Sequence, residues 1–415
     1  MTVTATTPYR TESALANRQF RLLFVGNTAT MLGFSMMQVA QSVLAFNLTG
    51  SNRAVGLVAM GWGIPMVLLG PIGGALSDRM SKRMLLILGQ GAVGGVFFVI
   101  GLLTVAGATT ILILAGLTLL MGLAFALLMP ARQAWLGDLL QGPALANGIG
   151  LQQLSMNATG IAGPLAAAGM VALAAIDVGG TYIVLSSFFL IAMALLFFME
   201  PTRARSDRAH TSVIGDLLGG LRYTWNASEV RLVTLMFGGV VLTGFSYPVL
   251  MPGFLEHDLG YSASLVGVLF GVAAVGGITF TVLVNRGSIR VDPANLMFVC
   301  GAALACALML LAISPVFWTA LGTTALVGAA TSGFQLCNQV NLMRRTDPAY
   351  FGRVMSLTMT AFGLQMIVGF PAGALADVAG ERLTLVVLAL GCMAVVVASY
   401  AHWRSLSRHA AVAIA

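Results

Sequence analysis

GPIGGALSDRMSKR, Gly70 to Arg83, runs from one apolar stretch through a turn carrying four charges and into another, so it separates the runs Ala54 to Ser77 and Met84 to Gly107. Each run is long enough to cross a bilayer, because ~20 apolar residues rising ~1.5 Å each cover ~30 Å of hydrocarbon. The charged turn therefore lies at a membrane surface. Gly70, Gly73 and Gly74 carry no side chains, which lets another helix come close to this end of the span. Asp78 can then face the positive N-terminal end of that neighbour, while Arg79, Lys82 and Arg83 stay in water or meet lipid headgroups. Such a contact can be made and broken. The plainer reading is a positive loop that only sets orientation.

Composition extends the membrane reading to the whole chain. With 58% hydrophobic and 8% charged residues among 415, it lies far from soluble domains, in which about 25% of residues are charged. The polar start, MTVTATTPYRTESALANRQFR, is followed by an apolar run too long for a cleaved signal core, so the first span is expected to remain. Cys300, Cys306, Cys337 and Cys392 all fall in apolar runs as small hydrophobes, and neither a disulfide, a metal site nor a cofactor is expected. The net charge of +7 comes from Arg residues dispersed among the loops, which points to membrane topology and not to nucleic acid.

Twelve spans are read at 21–46, 54–77, 84–107, 109–130, 144–174, 180–199, 231–255, 263–284, 294–314, 316–341, 353–376 and 383–402. An even number puts both termini on one side. Of the Lys and Arg residues only Arg53 and Arg382 fall on the opposite side, so by the positive-inside rule the termini are cytoplasmic. The longest polar interruption divides the chain into an N-terminal six-helix half (1–199), a cytoplasmic linker (200–230) and a C-terminal six-helix half (231–415). Within the linker PTRARSDRAHT reads as flexible chain, while SVIGDLLGGLRYTWNASEVR has helical spacing and suits a membrane surface. The second half repeats the charged turn: Asn285-Arg286-Gly287-Ser288-Ile289-Arg290 matches Asp78 to Arg83 with the acid neutralised.

The spacing Gly74-x-x-x-Asp78-Arg79-x-x-Lys82-Arg83 resembles the signature of the major facilitator superfamily between its second and third spans, with Ser81 where a Gly is usual. LMPARQAWLGDLL (Leu128 to Leu140), LMPGFLEHDLG and GRVMSLTMTAFG look like the branch of macrolide and siderophore (enterobactin-like) exporters. The resemblance runs nearly end to end. It implies an all-α membrane fold of twelve helices in two halves, in which Gly74, Asp78, Arg79, Lys82 and Arg83 form a cytoplasmic gate. It also implies a monomeric, multi-pass carrier of the cytoplasmic (inner) membrane that exports a small amphipathic molecule by alternating access, with proton antiport as one form of coupling. A major facilitator importer or a facilitated-diffusion carrier is the alternative; a membrane-embedded enzyme has no buried reactive constellation to support it. Two departures weaken the case for proton coupling. The fourth span has no Arg, and the antiporter motif of the fifth is reduced to Gly163-Pro164-Leu165-Ala166-Ala167-Ala168.

Amides deep in hydrocarbon need partners or water, so their distribution marks the spans that face a cavity. They concentrate in the first, fifth, tenth and eleventh. Asn27, Phe34, Gln38 and Gln41 form one stripe on the first span. Gln38, Asn157, Tyr247 and Gln365 count to mid-membrane, where such carriers bind cargo, and Gln335 joins them from the tenth span. The other reading is that the amides bridge packed helices, at roughly 0.6 kcal/mol each. No carboxylate falls at mid-membrane, so the proton-carrier candidates are peripheral: Asp138, then Asp377.

Overall fold

The structure is a computed structural model that describes residues 13–79, 81–173, 176–200, 213–286, 291–347 and 350–414, and among these there is no strand. Six long helices come first: α1 Arg18–Thr49, α2 Asn52–Arg79, α3 Lys82–Val105, α4 Ile111–Leu139, α5 Gly142–Ala172 and α6 Asp177–Phe197. The short α7, Val213–Asn226, precedes a second set: α8 Ser228–Gly244, α9 Val266–Asn285, α10 Pro293–Ala312, α11 Phe317–Arg345, α12 Phe351–Ala379 and α13 Glu381–Ile414. Nine described helical stretches have the length and hydropathy to cross a membrane. Many large apolar side chains, Leu112 and Trp318 among them, are exposed, as a surface that faces lipid requires.

Local chemistry sets the helix ends. Asn17 accepts from the backbone N–H groups of Gln19 and Phe20, Ser81 from Met84, Thr110 from Ile113 and Asp292 from Ala294, so α1, α3, α4 and α10 all begin on a polar cap. α1 ends where Gly50 takes a left-handed conformation at φ 63°. The expected seventh span, 231–255, is not one helix. α8 stops at Gly244, followed by a 3-10 turn at Tyr247–Leu250 and a π turn at Phe254–Asp258. Pro248 and Pro252 explain the break, since neither can donate a backbone hydrogen bond. The linker stretch 201–212 and the repeated turn 287–290 lie outside the described residues.

Each set of six helices has a buried core. In the first, Phe97 packs against Tyr182 and Phe189 at 5.9 and 5.1 Å; in the second, Phe237 packs against Phe334 and Phe362 at 5.9 and 5.6 Å. Two seams join the sets, α2 against α12 and α5 against α9. Among the described residues α4 and α11 form no such seam.

Candidate functional site

A cavity of about 290 Å³ lies between the two sets, lined by Phe34, Ser35 and Gln38 of α1, Gly160 and Pro164 of α5, Tyr247 and Pro248 of the break after α8, and Phe270 and Ala273 of α9. No lining side chain carries a charge at neutral pH. The α8 break puts Tyr247 and Pro248 on the wall, and non-helical backbone at this depth is tolerated where it borders a cavity. Phe34 is also the inner edge of an aromatic cluster, 5.4 Å from Trp62 and 5.0 Å from Phe125. The wall is thus mostly apolar, with a few polar groups available to orient a ligand.

The residues expected from sequence separate into distinct groups. Phe34, Gln38 and Tyr247 reach the cavity. Gln38 is exposed there and makes no hydrogen bond to the described residues, so its amide is free for a ligand. Gln41 is buried, and its Nε2 donates to Thr118 Oγ1 of α4 at 2.9 Å, which makes it a brace within the first set. Gln365 donates to the Phe245 carbonyl oxygen at 3.0 Å and so supplies a partner to the chain where α8 ends. Asn157, half-buried, accepts from Gln153 Nε2 at 3.3 Å one turn before Gly160. Gln335 is exposed on α11 and is not on the cavity wall. Asn27 lies elsewhere, in a gap of about 10 Å³ beside Gln90 and the buried Arg132.

The charged residues lie at the ends of the bundle. Lys82 forms an ion pair with Asp138, tying the start of α3 to the end of α4. Arg83 Nε and Nη2 donate to the Leu196 and Phe197 carbonyl oxygens at 3.0 and 2.8 Å, at the negative end of α6. Gly74, Asp78 and Arg79 fall on the last turns of α2, where side chains lie outside the described residues. Asp377 accepts from the backbone N–H of Asn52 at 2.8 Å at the opposite end.

Sequence reasoning did not single out Ser35, Gly160, Phe270 or Ala273 for the cavity, or Trp62 for the aromatic cluster behind it. Pro164 and Pro248 also line the cavity. Proline inside an apolar span is the signal that finds two of these positions, because it marks where backbone leaves helical pairing.

Residues 23–369 match the model of the Major Facilitator Superfamily. The chain belongs to that superfamily. Among relatives of this transporter, the Staphyloferrin A transporter of Staphylococcus aureus is 22% identical over 387 residues, 91% of this chain and 93% of that one. The enterobactin exporter EntS of Citrobacter koseri is 25% identical over 392 residues, 89% of this chain and 90% of that one. The crystal structure of the nucleoside transporter NupG superposes with a TM-score of 0.72 at 13% identity, over 93% of this chain and 99% of that one, a likeness of fold. This major facilitator transporter is a multi-pass membrane protein that handles a small molecule.

Proposed function

We propose that the transporter exports a small, neutral or weakly charged amphipathic molecule across the cytoplasmic membrane, with its termini and linker in the cytoplasm. Residues 1–199 and 231–415 act as two halves that rock about the central cavity, joined by 200–230. The observation that carries this reading is the uncharged wall, in which the free amide of Gln38 sits among Phe34, Tyr247 and Phe270. A cationic cargo would find no carboxylate there, at a cost of ~2.5 to 3.5 kcal/mol on insertion scales. An aromatic and amide wall instead suits a ligand with one apolar face and a few hydrogen-bonding groups.

Export is supported by the enterobactin exporter among the relatives. Drug, macrolide and siderophore-like compounds are the classes to test. Cells with and without the protein are loaded with each compound and efflux is followed. Faster efflux that depends on Gln38 supports the reading, whereas faster uptake makes the protein an importer or facilitated carrier.

A further inference from the structure

The end of the bundle away from the described termini is closed by contacts that cross between the two sets of helices, and most converge on three residues. These are Ser51, just before α2, and Asn52 and Arg53, which begin it. The Asp377 carboxylate of α12 accepts from the Asn52 N–H at 2.8 Å, the Arg53 N–H at 3.2 Å and the Ser51 hydroxyl. Glu381 Oε1 at the start of α13 accepts from Asn52 Nδ2 at 2.8 Å and meets His257 Nδ1 of the π turn at 2.7 Å. Asn52 Oδ1 in turn accepts from the Gly253 N–H at 3.3 Å. Asn52 is fully buried and Glu381 nearly so. The Arg53 guanidinium lies 5.1 Å from the ring centre of Phe370.

Helix α2 is therefore capped in trans. The first N–H groups of a helix have no partner within it and carry the positive end of its dipole. Here an acid from the other set supplies the partner. Parting the sets at this end exposes those N–H groups and strips Glu381 of the Asn52 amide. The other charged groups nearby do not join the two sets in this way: Arg382 donates to Asp258 at 2.9 Å and to the Ala312 carbonyl oxygen at 2.9 Å, all within the second set. A replacement cap is already in place, since Ser51 Oγ accepts from the Ala54 N–H at 3.4 Å and stays with α2 when the sets separate. The contact can thus be broken and remade without leaving the helix end bare.

We propose that Asp377 and Glu381 are the gate residues that seal the cavity at this end, and that opening consists of withdrawing both carboxylates from Ser51, Asn52 and Arg53. The assignment rests on a carrier whose two halves move and not on any identity of cargo. Its test needs no transport measurement. In the full-length protein in lipid nanodiscs, with the four cysteines replaced by alanine, spin labels are placed at Asn47 and Tyr261 and their separation is read by double electron–electron resonance. The parent is expected to show a short distance. Asp377→Asn with Glu381→Gln is expected to raise the ratio of long-distance to short-distance populations about tenfold or more. Asn52→Ala, which leaves both acids in place, should shift the ratio in the same direction by less. Asp258→Asn removes a pair internal to the second set and should leave the distribution unchanged. An unaltered distribution in both the double variant and Asn52→Ala overturns the proposal, and so does an equal shift in Asp258→Asn.

Discussion

Gly56 of α2 lies so close to Gly369 of α12 that a Cβ added at Gly56 would stand 2.4 Å from the Gly369 carbonyl oxygen. The obstacle is backbone, which cannot turn aside as a side chain can. At this point the α2–α12 seam brings the two backbones together, and the seam joins the two sets of helices.

Gly56→Ala is therefore expected to destabilise the protein by about 1–3 kcal/mol, the usual range for overpacking a close contact. Gly116→Ala, where no other part of the protein lies within 4 Å, should be neutral. Thermal unfolding of the detergent-solubilised proteins checks the difference; equal melting temperatures would show that the seam readily gives way.

Gln38 and Gln41 differ in what they touch, and their alanine variants should differ accordingly. Gln38→Ala removes a free amide from the cavity wall, so once an exported compound is in hand its apparent affinity should fall roughly threefold to tenfold with little change in melting. Gln41→Ala leaves Thr118 without its donor inside the first half, and should lower stability by about 1 kcal/mol while sparing affinity. Titration of binding alongside thermal melting separates the two; a reversal of the pattern would remove Gln38 from the site.

The proposed orientation is tested by cysteines at Ser206, Ser288 and Ser262, each in a background lacking the native four. An impermeant thiol reagent applied to intact cells should label position 262 and leave 206 and 288 untouched, because Arg and Lys concentrate on the side of the linker. Labelling at 206 without labelling at 262 would invert the topology.

Asp138 is paired with Lys82, where α4 ends and α3 begins. If export runs on protons through this acid, Asp138→Asn should abolish the protonophore-sensitive part of efflux. The partly exposed pair contributes ~1 kcal/mol or less to stability, so expression and melting should change little. Proton-driven efflux that survives Asp138→Asn and Asp377→Asn together would exclude both acids as carriers, and efflux indifferent to protonophore would point to facilitated diffusion or another ion.

The amino-acid sequence by itself determined the class of fold, because crossing a bilayer is a local property: a long enough apolar run must satisfy its own backbone as a helix, whatever its neighbours do. The membrane spans and the long central interruption were legible on that basis, whereas the break at Pro248 and Pro252 lay inside an apolar run that reads as one span. Which amide serves the cavity was not legible either. Asn27, Gln38 and Gln41 share one stripe in the sequence, yet one sits beside a buried arginine, one faces the cavity and one braces α4, because small rotations and the packing of neighbouring helices give each a different surrounding. The trans-capping of α2 lay further still beyond a linear reading. Ser51 and Asp377 are 326 positions apart, both sit at span ends among ordinary polar residues, and only the closure of one helical set against the other brings the carboxylate to the helix start.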